Sequence, residues 1–397
     1  MTRDLLSPLF GTDDPAGRFD DRARMAAMLA VEAALARAEA AVGIVPAHAG
    51  AAIEGACDAA LYDLPALARE TALAGNPAIP LVKALTAKVR ESDGEAARYV
   101  HWGATSQDVM DSGLALQLRA FLDDLEIALA RLSRVLCDLA EGERETLLAG
   151  RTWLQQALPV TFGLKAAGWL DALTRHRQRL AELRPRLLGL QFGGAAGTLA
   201  SLGPRGPAVA EALARELGLG LPALPWHAVR DRVGELGGWL GLLTGSLGKV
   251  ARDLSLLMQS EVAEAFEPAG EGRGGSSTMP QKRNPVASAA VLAAALQAPG
   301  LVATLLQAQL QEQERGLGTW HAEWETLPQL CRLAEGALRR LTEALDGLEL
   351  DRGRMAANLA ASGGLIMAEA VKMALGPRLR RLAAHGLLAE AARRSLA

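Results

Sequence analysis

Aromatic residues are scarce in this chain: Phe, Trp and Tyr together make up 4% of 397 residues, although half of all residues are hydrophobic. Ala, Leu and Val must therefore fill the interior, and small aliphatic side chains in quantity favour closely packed helices over sheets. Cysteine is nearly lacking too. Cys57, Cys137 and Cys331 lie far apart and no CxxC occurs, so neither a disulfide framework nor a zinc knuckle is expected. Neither sign of charge dominates: 42 basic against 45 acidic residues give a net charge of −3. That excludes a strongly basic face, so neither nucleic acid nor a membrane surface is expected as a partner. The stretch MTRDLLSPLFGTDD at the amino terminus has no signal-peptide apolar run, which makes a cytoplasmic protein the expectation.

Strand alternation is missing as well, whereas helical spacing is plain. DDRARMAAMLAVEAALARAEAAVG sets Met25, Met28, Leu29, Val31 and Leu35 on overlapping turns, with Asp20 and Asp21 near its start and Gly43 at its end. From Ser112 to Leu148 the apolar period continues for about ten turns, as in a long bundle helix. The period returns over 158–190, 208–217, 237–266, 286–313 and 327–348. The class is all-α. Breaks at 75–80, 101–108, 150–159, 191–207, 219–227, 274–285 and 316–320 divide the chain. We read a smaller N-terminal helical domain over 1–108, a central long-helix bundle over 109–350 and a short C-terminal helical piece over 351–397.

Charge is absent from Pro285 to Gln311, a stretch long enough to cross a bilayer. Yet it contains Ser288, Gln297, Pro299, Gly300, Thr304 and three further Gln, and 236–248 is similarly uncharged and rich in small residues. Helices buried on all sides are the better reading. One chain has few such positions unless subunits associate, so a homo-oligomer is expected, with these helices in its interface.

Three segments concentrate chemistry. In GGSSTMPQKRNP (274–285), Gly274 and Gly275 let the backbone move and approach a ligand, and Ser276 and Ser277 supply hydroxyls. Lys282 and Asn284 follow, just before a helix whose positive end would face a substrate carboxylate. HWGATSQD offers His101, Thr105, Ser106, Gln107 and Asp108 within eight residues, suited to a carboxylate and to proton transfer. Ser106 or Asp108 equally serves to cap the next helix, and the roles are compatible. GRTWLQQALP sets Thr152, Gln155 and Gln156 among apolar neighbours, with Trp153 as a flat wall.

Other candidates carry less. Arg230, Arg232 and Arg315 lie near breaks, where they suit an acidic substrate, although solvated helix ends are the plainer reading for at least two of them. His321 and Glu325 sit one turn apart without a third ligand, so no metal is expected. GGAAG at 193–197 follows no strand and has the wrong spacing for a dinucleotide fingerprint. No cofactor is expected.

Taken together, GSSTMPQKRNP, HWGATSQD and GRTWLQQALP resemble the three shared regions of the fumarase/aspartase superfamily, in order over roughly residues 70–330. The resemblance implies a three-domain all-α fold and a homotetramer whose active sites each take the three regions from three subunits. It also implies Ser276 as catalytic base, with Lys282 and Asn284 binding and stabilising a substrate carboxylate. His101, Thr105 and Ser106 would bind substrate from the first region, Gln155 from the second, with Trp153 and Arg315 also substrate-facing. Many relatives carry His where this chain has Trp153, and adenylosuccinate lyases add a second His in an earlier TRHD segment, whereas the nearest segment here, TALAGNPAIP, offers Asn76 and no His. That departure suits the lactone-forming cycloisomerase branch, which acts on a carboxylated cis,cis-muconate, a small tricarboxylate. There the group expelled in the reverse direction is a carboxylate, with a conjugate acid of pKa about 4, which needs no proton to leave. The alternative is a lyase releasing fumarate from adenylosuccinate or argininosuccinate. The superfamily also implies more C-terminal helices than follow residue 351 here.

Overall fold

The computed structural model describes residues 5–14, 16–270, 272, 274–275, 278–279, 281–379 and 381–396. The fold is all-α. Its helices are α1 (Ser7–Phe10), α2 (Asp21–Val42), α3 (Ala47–Gly55), α4 (Leu64–Ala74), α5 (Ala78–Ser92) and the 37-residue α6 (Ser106–Gly142). After these come α7 (Phe162–Leu187), α8 (Gly206–Leu217), α9 (Asp231–Leu257), α10 (Val286–Gln307) and α11 (Thr319–Asp346). Three shorter helices close the chain: α12 (Arg352–Ala360), α13 (Ala368–Leu379) and α14 (Arg381–Leu396).

Local chemistry sets the ends of these helices. Asp20 accepts from the Ala23 amide at 2.7 Å to start α2, and Gly43, at φ 77°, stops it in the left-handed conformation. Asn76 caps α5 by accepting from the Ala78 and Ile79 amides, at 3.1 and 3.2 Å.

Among the described residues, sheet is confined to small pieces. The segment read as a break at 150–159 folds as an antiparallel hairpin, β1 (Leu147–Thr152) with β2 (Gln155–Thr161). No alternation of β-branched residues announces it, because its two strands are held by local pairing across a two-residue turn. α7 consequently begins at Phe162, later than the apolar period suggests. A two-residue pair, β3 (Ala265–Phe266) with β4 (Glu349–Leu350), forms a separate sheet.

The chain divides into two compact units. The first comprises 1–127, 177–242 and 296–336, and the second 128–176, 243–295 and 337–397. In the first, the apolar face of α2 (Met25, Met28, Leu29, Val31 and Leu35) is buried in one core with Ile53, Leu81, Leu85, Val89 and Leu213. Each fully buried aliphatic chain contributes about 1.5–3 kcal/mol. In the second, Phe162 and Trp169 of α7 pack edge to face at 6.0 Å, and the Trp169 indole donates to Asp253 of α9 at 3.0 Å.

Candidate active site

In the first unit, the segment 101–108 is bent by two left-handed residues, His101 at φ 59° and Gly103 at φ 68°. Only glycine fits at 103, since a Cβ there would lie 2.6 Å from Cδ2 of Leu202. Beyond the bend, Asp108 reaches back to accept the Thr105 amide at 3.1 Å, the capping role anticipated for it. The same carboxylate also holds the GGAAG segment. It accepts from the Gly193 and Gly194 amides at 3.0 and 2.9 Å and from Gln191 Nε2 at 3.0 Å. Burial pushes its pKa up to about 6 despite these four donors. GGAAG is thus not idle: its Gly193 and Gly194 amides bind an internal carboxylate. Thr105 and Ser106 are half-buried, and their hydroxyls form no hydrogen bond among the described residues.

Around this segment the unit gathers two further basic side chains. Arg315 donates to the Ala195 carbonyl at 2.9 Å. His227, which sequence reasoning passed over in favour of its neighbouring arginines, is buried with a Cβ-free glycine, Gly197, against its ring. Burial, then the Arg315 guanidinium, lowers its pKa below the usual histidine value. Arg230 is no solvated helix end. It is fully buried, paired with Asp111 of α6 at 2.6 Å and with Glu323 of α11, with its guanidinium 4.8 Å above the Trp226 ring. With both partners saturating it, Arg230 is a structural cross-link and not a substrate ligand.

The second unit holds the other two segments. Thr152 pairs with Gln155, leaving Trp153 and Leu154 as the turn, both left-handed at φ 53° and 64°. This is the two-residue hairpin geometry that normally selects Asn-Gly. Trp153 is 98% exposed at the tip, and Gln155 is exposed beside it. The base of the hairpin is firmly held. Arg151 makes a bidentate pair with buried Glu264 at 2.7 and 2.8 Å, and Asn358 donates to Glu264 at 2.8 Å. Gln156 Nε2 in turn donates to the Asn358 carbonyl at 3.1 Å.

In the loop before α10, Ser276 and Ser277 lie outside the described residues. Asn284 folds back on the glycine pair, its amide and its side chain both donating to the Gly274 carbonyl at 2.9 and 3.1 Å. Lys282 is exposed. Arg283 is anchored by Glu349 at 2.9 Å and by the Glu267 carbonyl at 2.6 Å. One expectation is corrected here. The start of α10 does not wait for a substrate carboxylate, because Glu267 already accepts from the Ala287 and Ser288 amides at 3.0 and 2.7 Å and from the Ser288 hydroxyl at 2.7 Å. Among the described residues, no group of three or more His, Cys, Asp or Glu could hold a metal ion.

A lyase family model matches residues 10–300. The chain is 63% identical over 378 residues to a 3-carboxy-cis,cis-muconate cycloisomerase of Pseudomonas aeruginosa, covering 95% of this chain and 82% of that protein. It superposes on the crystal structure of 3-carboxy-cis,cis-muconate lactonizing enzyme from Pseudomonas putida with a TM-score of 0.93 and 55% identity, over 98% of this chain and 87% of the other. It is also 44% identical over 395 residues to a nitrosuccinate lyase of Streptomyces davaonensis, covering 98% of this chain and 83% of that protein. The chain belongs to the fumarase/aspartase superfamily of lyases.

Proposed function

We propose that this enzyme is a 3-carboxy-cis,cis-muconate cycloisomerase, closing its tricarboxylate substrate to a carboxymuconolactone in the β-ketoadipate route of protocatechuate breakdown in the cytoplasm. The likeness to cycloisomerases along nearly the whole chain supports the activity. The observation that carries the chemistry is the hairpin tip, where Trp153 is exposed at the position the superfamily resemblance gives to a histidine.

In the forward direction an oxygen of one substrate carboxylate adds to the conjugated double bond. A C–O bond forms, and the displaced π pair moves to the carbon beside another carboxyl as an enolate. Lys282 and Asn284 bind that carboxyl and stabilise the developing charge. The Ser276 hydroxyl delivers the proton to the carbon, and solvent restores it. His101, Thr105, Ser106, Arg315 and Gln155 hold the remaining carboxylates, and Trp153 covers the flat diene. Run in reverse, the leaving group is a carboxylate, so the general acid that typically contributes ~10²–10⁴-fold in rate is dispensable.

The active sites are shared between subunits of a homotetramer. This reading is supported by α10, whose mean hydropathy of 1.9 is high enough for a membrane span while only 28% of its apolar window is buried within one chain. Covering that surface with copies of the chain explains an uncharged helix without a bilayer. The test is loss of ultraviolet absorbance on mixing with 3-carboxy-cis,cis-muconate, with adenylosuccinate and argininosuccinate beside it. Turnover of the muconate, falling by about 10²–10⁴-fold in Ser276→Ala at unchanged thermal midpoint, is expected. Fumarate release from either of the other two compounds in its place overturns the reading.

A further inference from the structure

Glu32 lies in the middle of α2, two turns from Glu39 on the same face, and both side chains are buried in the first unit. Helix interiors seldom bury carboxyls without paired cations, so this pair calls for an explanation. Glu32 has a single partner: its Oε1 lies 2.6 Å from Nδ1 of His101, while its Oε2 and both oxygens of Glu39 have no hydrogen-bond partner among the described residues. Glu32 is 1% exposed and the His101 side chain 18%. A carboxylate only accepts, so Nδ1 carries hydrogen and the ring is oriented by that bond. Nε2 of His101 has no partner among the described residues.

The backbone agrees. A left-handed conformation at a histidine costs on the order of 1–2 kcal/mol, and such strain persists where surrounding contacts over-determine the residue. Here it accompanies the contact of the His101 ring with Glu32 of α2, in the same bent segment that carries Thr105 and Ser106.

We propose that Glu32 is a positioning residue that holds His101 as an imidazolium, with Nδ1–H bound to Glu32 and Nε2–H left as a cationic donor for a carboxylate of the substrate. The electrostatics run the same way. Burial alone would lower the pKa of His101, but the Glu32 carboxylate overrides it and, with help from Asp108, raises it above the usual histidine value. Glu39, by contrast, is pushed up to about 9 by burial and by the Glu32 charge, so it keeps its proton. The other titratable groups facing the pair are Asp108 on α6 and the Cys57 thiol after α3, which burial and Glu32 keep neutral. His101 thereby acts as a fixed cation, distinct from the base role a free histidine would fill.

The kinetic arm of the test rests on the cycloisomerase reading, and the spectroscopic arm does not. With 3-carboxy-cis,cis-muconate, Glu32→Gln is expected to raise KM roughly tenfold at pH 8, the size of one lost charge-assisted hydrogen bond, while kcat stays within about threefold. The alkaline fall of kcat/KM moves to lower pH, and Glu32→Asp restores part of the shift. In the wild-type enzyme, NMR titration of ¹³C-labelled histidines, assigned with His101→Asn, is expected to show His101 protonated above about pH 6.5, the ordinary value. A Glu32→Gln profile superimposable on wild type, or His101 titrating at or below the ordinary value, overturns the proposal. Should Glu32→Gln fail to fold, the wild-type titration alone decides. A wild-type enzyme inert towards the muconate refutes the cycloisomerase reading, and the titration then decides the role of Glu32 by itself.

Discussion

Asp108 accepts the Gly194 amide at 2.9 Å across 86 residues of sequence, tying the first turn of α6 to a left-handed loop. A carboxylate that caps its own helix and at the same time binds two amides of a distant loop gives the His101–Asp108 segment a fixed shape. Half-buried Thr105 and Ser106 inherit that shape, and their hydroxyls form no hydrogen bond among the described residues. Such preorganisation lowers the cost of ordering the site when substrate binds.

Gly103 is a tight point of this arrangement. Gly103→Ala combines a positive φ with a Cβ placed 2.6 Å from Leu202. A loss of about 1–3 kcal/mol is expected, read as a lowered thermal or urea midpoint. Adding Leu202→Ala relieves the clash but not the backbone strain, so it is expected to recover only part of the Gly103→Ala change; full recovery would remove the backbone term.

At the hairpin tip, strain and function are separable. Leu154→Gly suits the left-handed turn position and is expected to stabilise by about 0.5–1 kcal/mol with little change in turnover. Trp153→Gly relieves the same strain but removes the wall proposed for the diene, so KM rises. Equal kinetic effects from the two substitutions would show that Trp153 has no contact with substrate.

Glu39 makes stability depend on pH in a direction opposite to the usual carboxylate. Its folded pKa of about 9 lies above its unfolded value, so between pH 4.5 and 9 the folded chain binds more protons and loses stability as pH rises. The raised pKa of His101 acts in the same sense, its contribution fading as pH climbs through the folded value. Glu39→Gln removes the carboxyl's part of this dependence. Its stability is expected to exceed wild type at pH 8, by on the order of 5 kcal/mol, and to approach it at pH 5. A difference independent of pH would show that Glu39 is not held protonated.

Leu296 on α10 is 79% exposed in one chain. If copies of the chain cover this helix, Leu296→Glu buries a charge in their interface and is expected to shift the sedimenting species to a smaller assembly. A wild-type chain that sediments as a monomer at micromolar concentration removes the proposed tetramer altogether.

The amino-acid sequence by itself determined the helices and the chemical inventory. Apolar residues at helical spacing, with Asp20 and Gly43 at the ends of α2, act through neighbours three or four positions apart, so they can be read locally. The superfamily segments are legible for the same reason: each is a short run whose residue types are themselves the signal. The hairpin at 147–161 was not legible, because its pairing is set by a turn whose residues, Trp153 and Leu154, are not the ones such turns favour. Only the tertiary structure decided which polar groups are already spoken for. Glu267 fills the start of α10, Arg230 is consumed by Asp111 and Glu323, and Asp108 is wrapped by Gly193 and Gly194. The pairing of Glu32 with His101 belongs with these, since the two lie 69 residues apart. Whether a buried charge is free to meet a ligand depends on partners brought in from distant parts of the chain, and hydrogen bonding and desolvation act through space, not along the sequence.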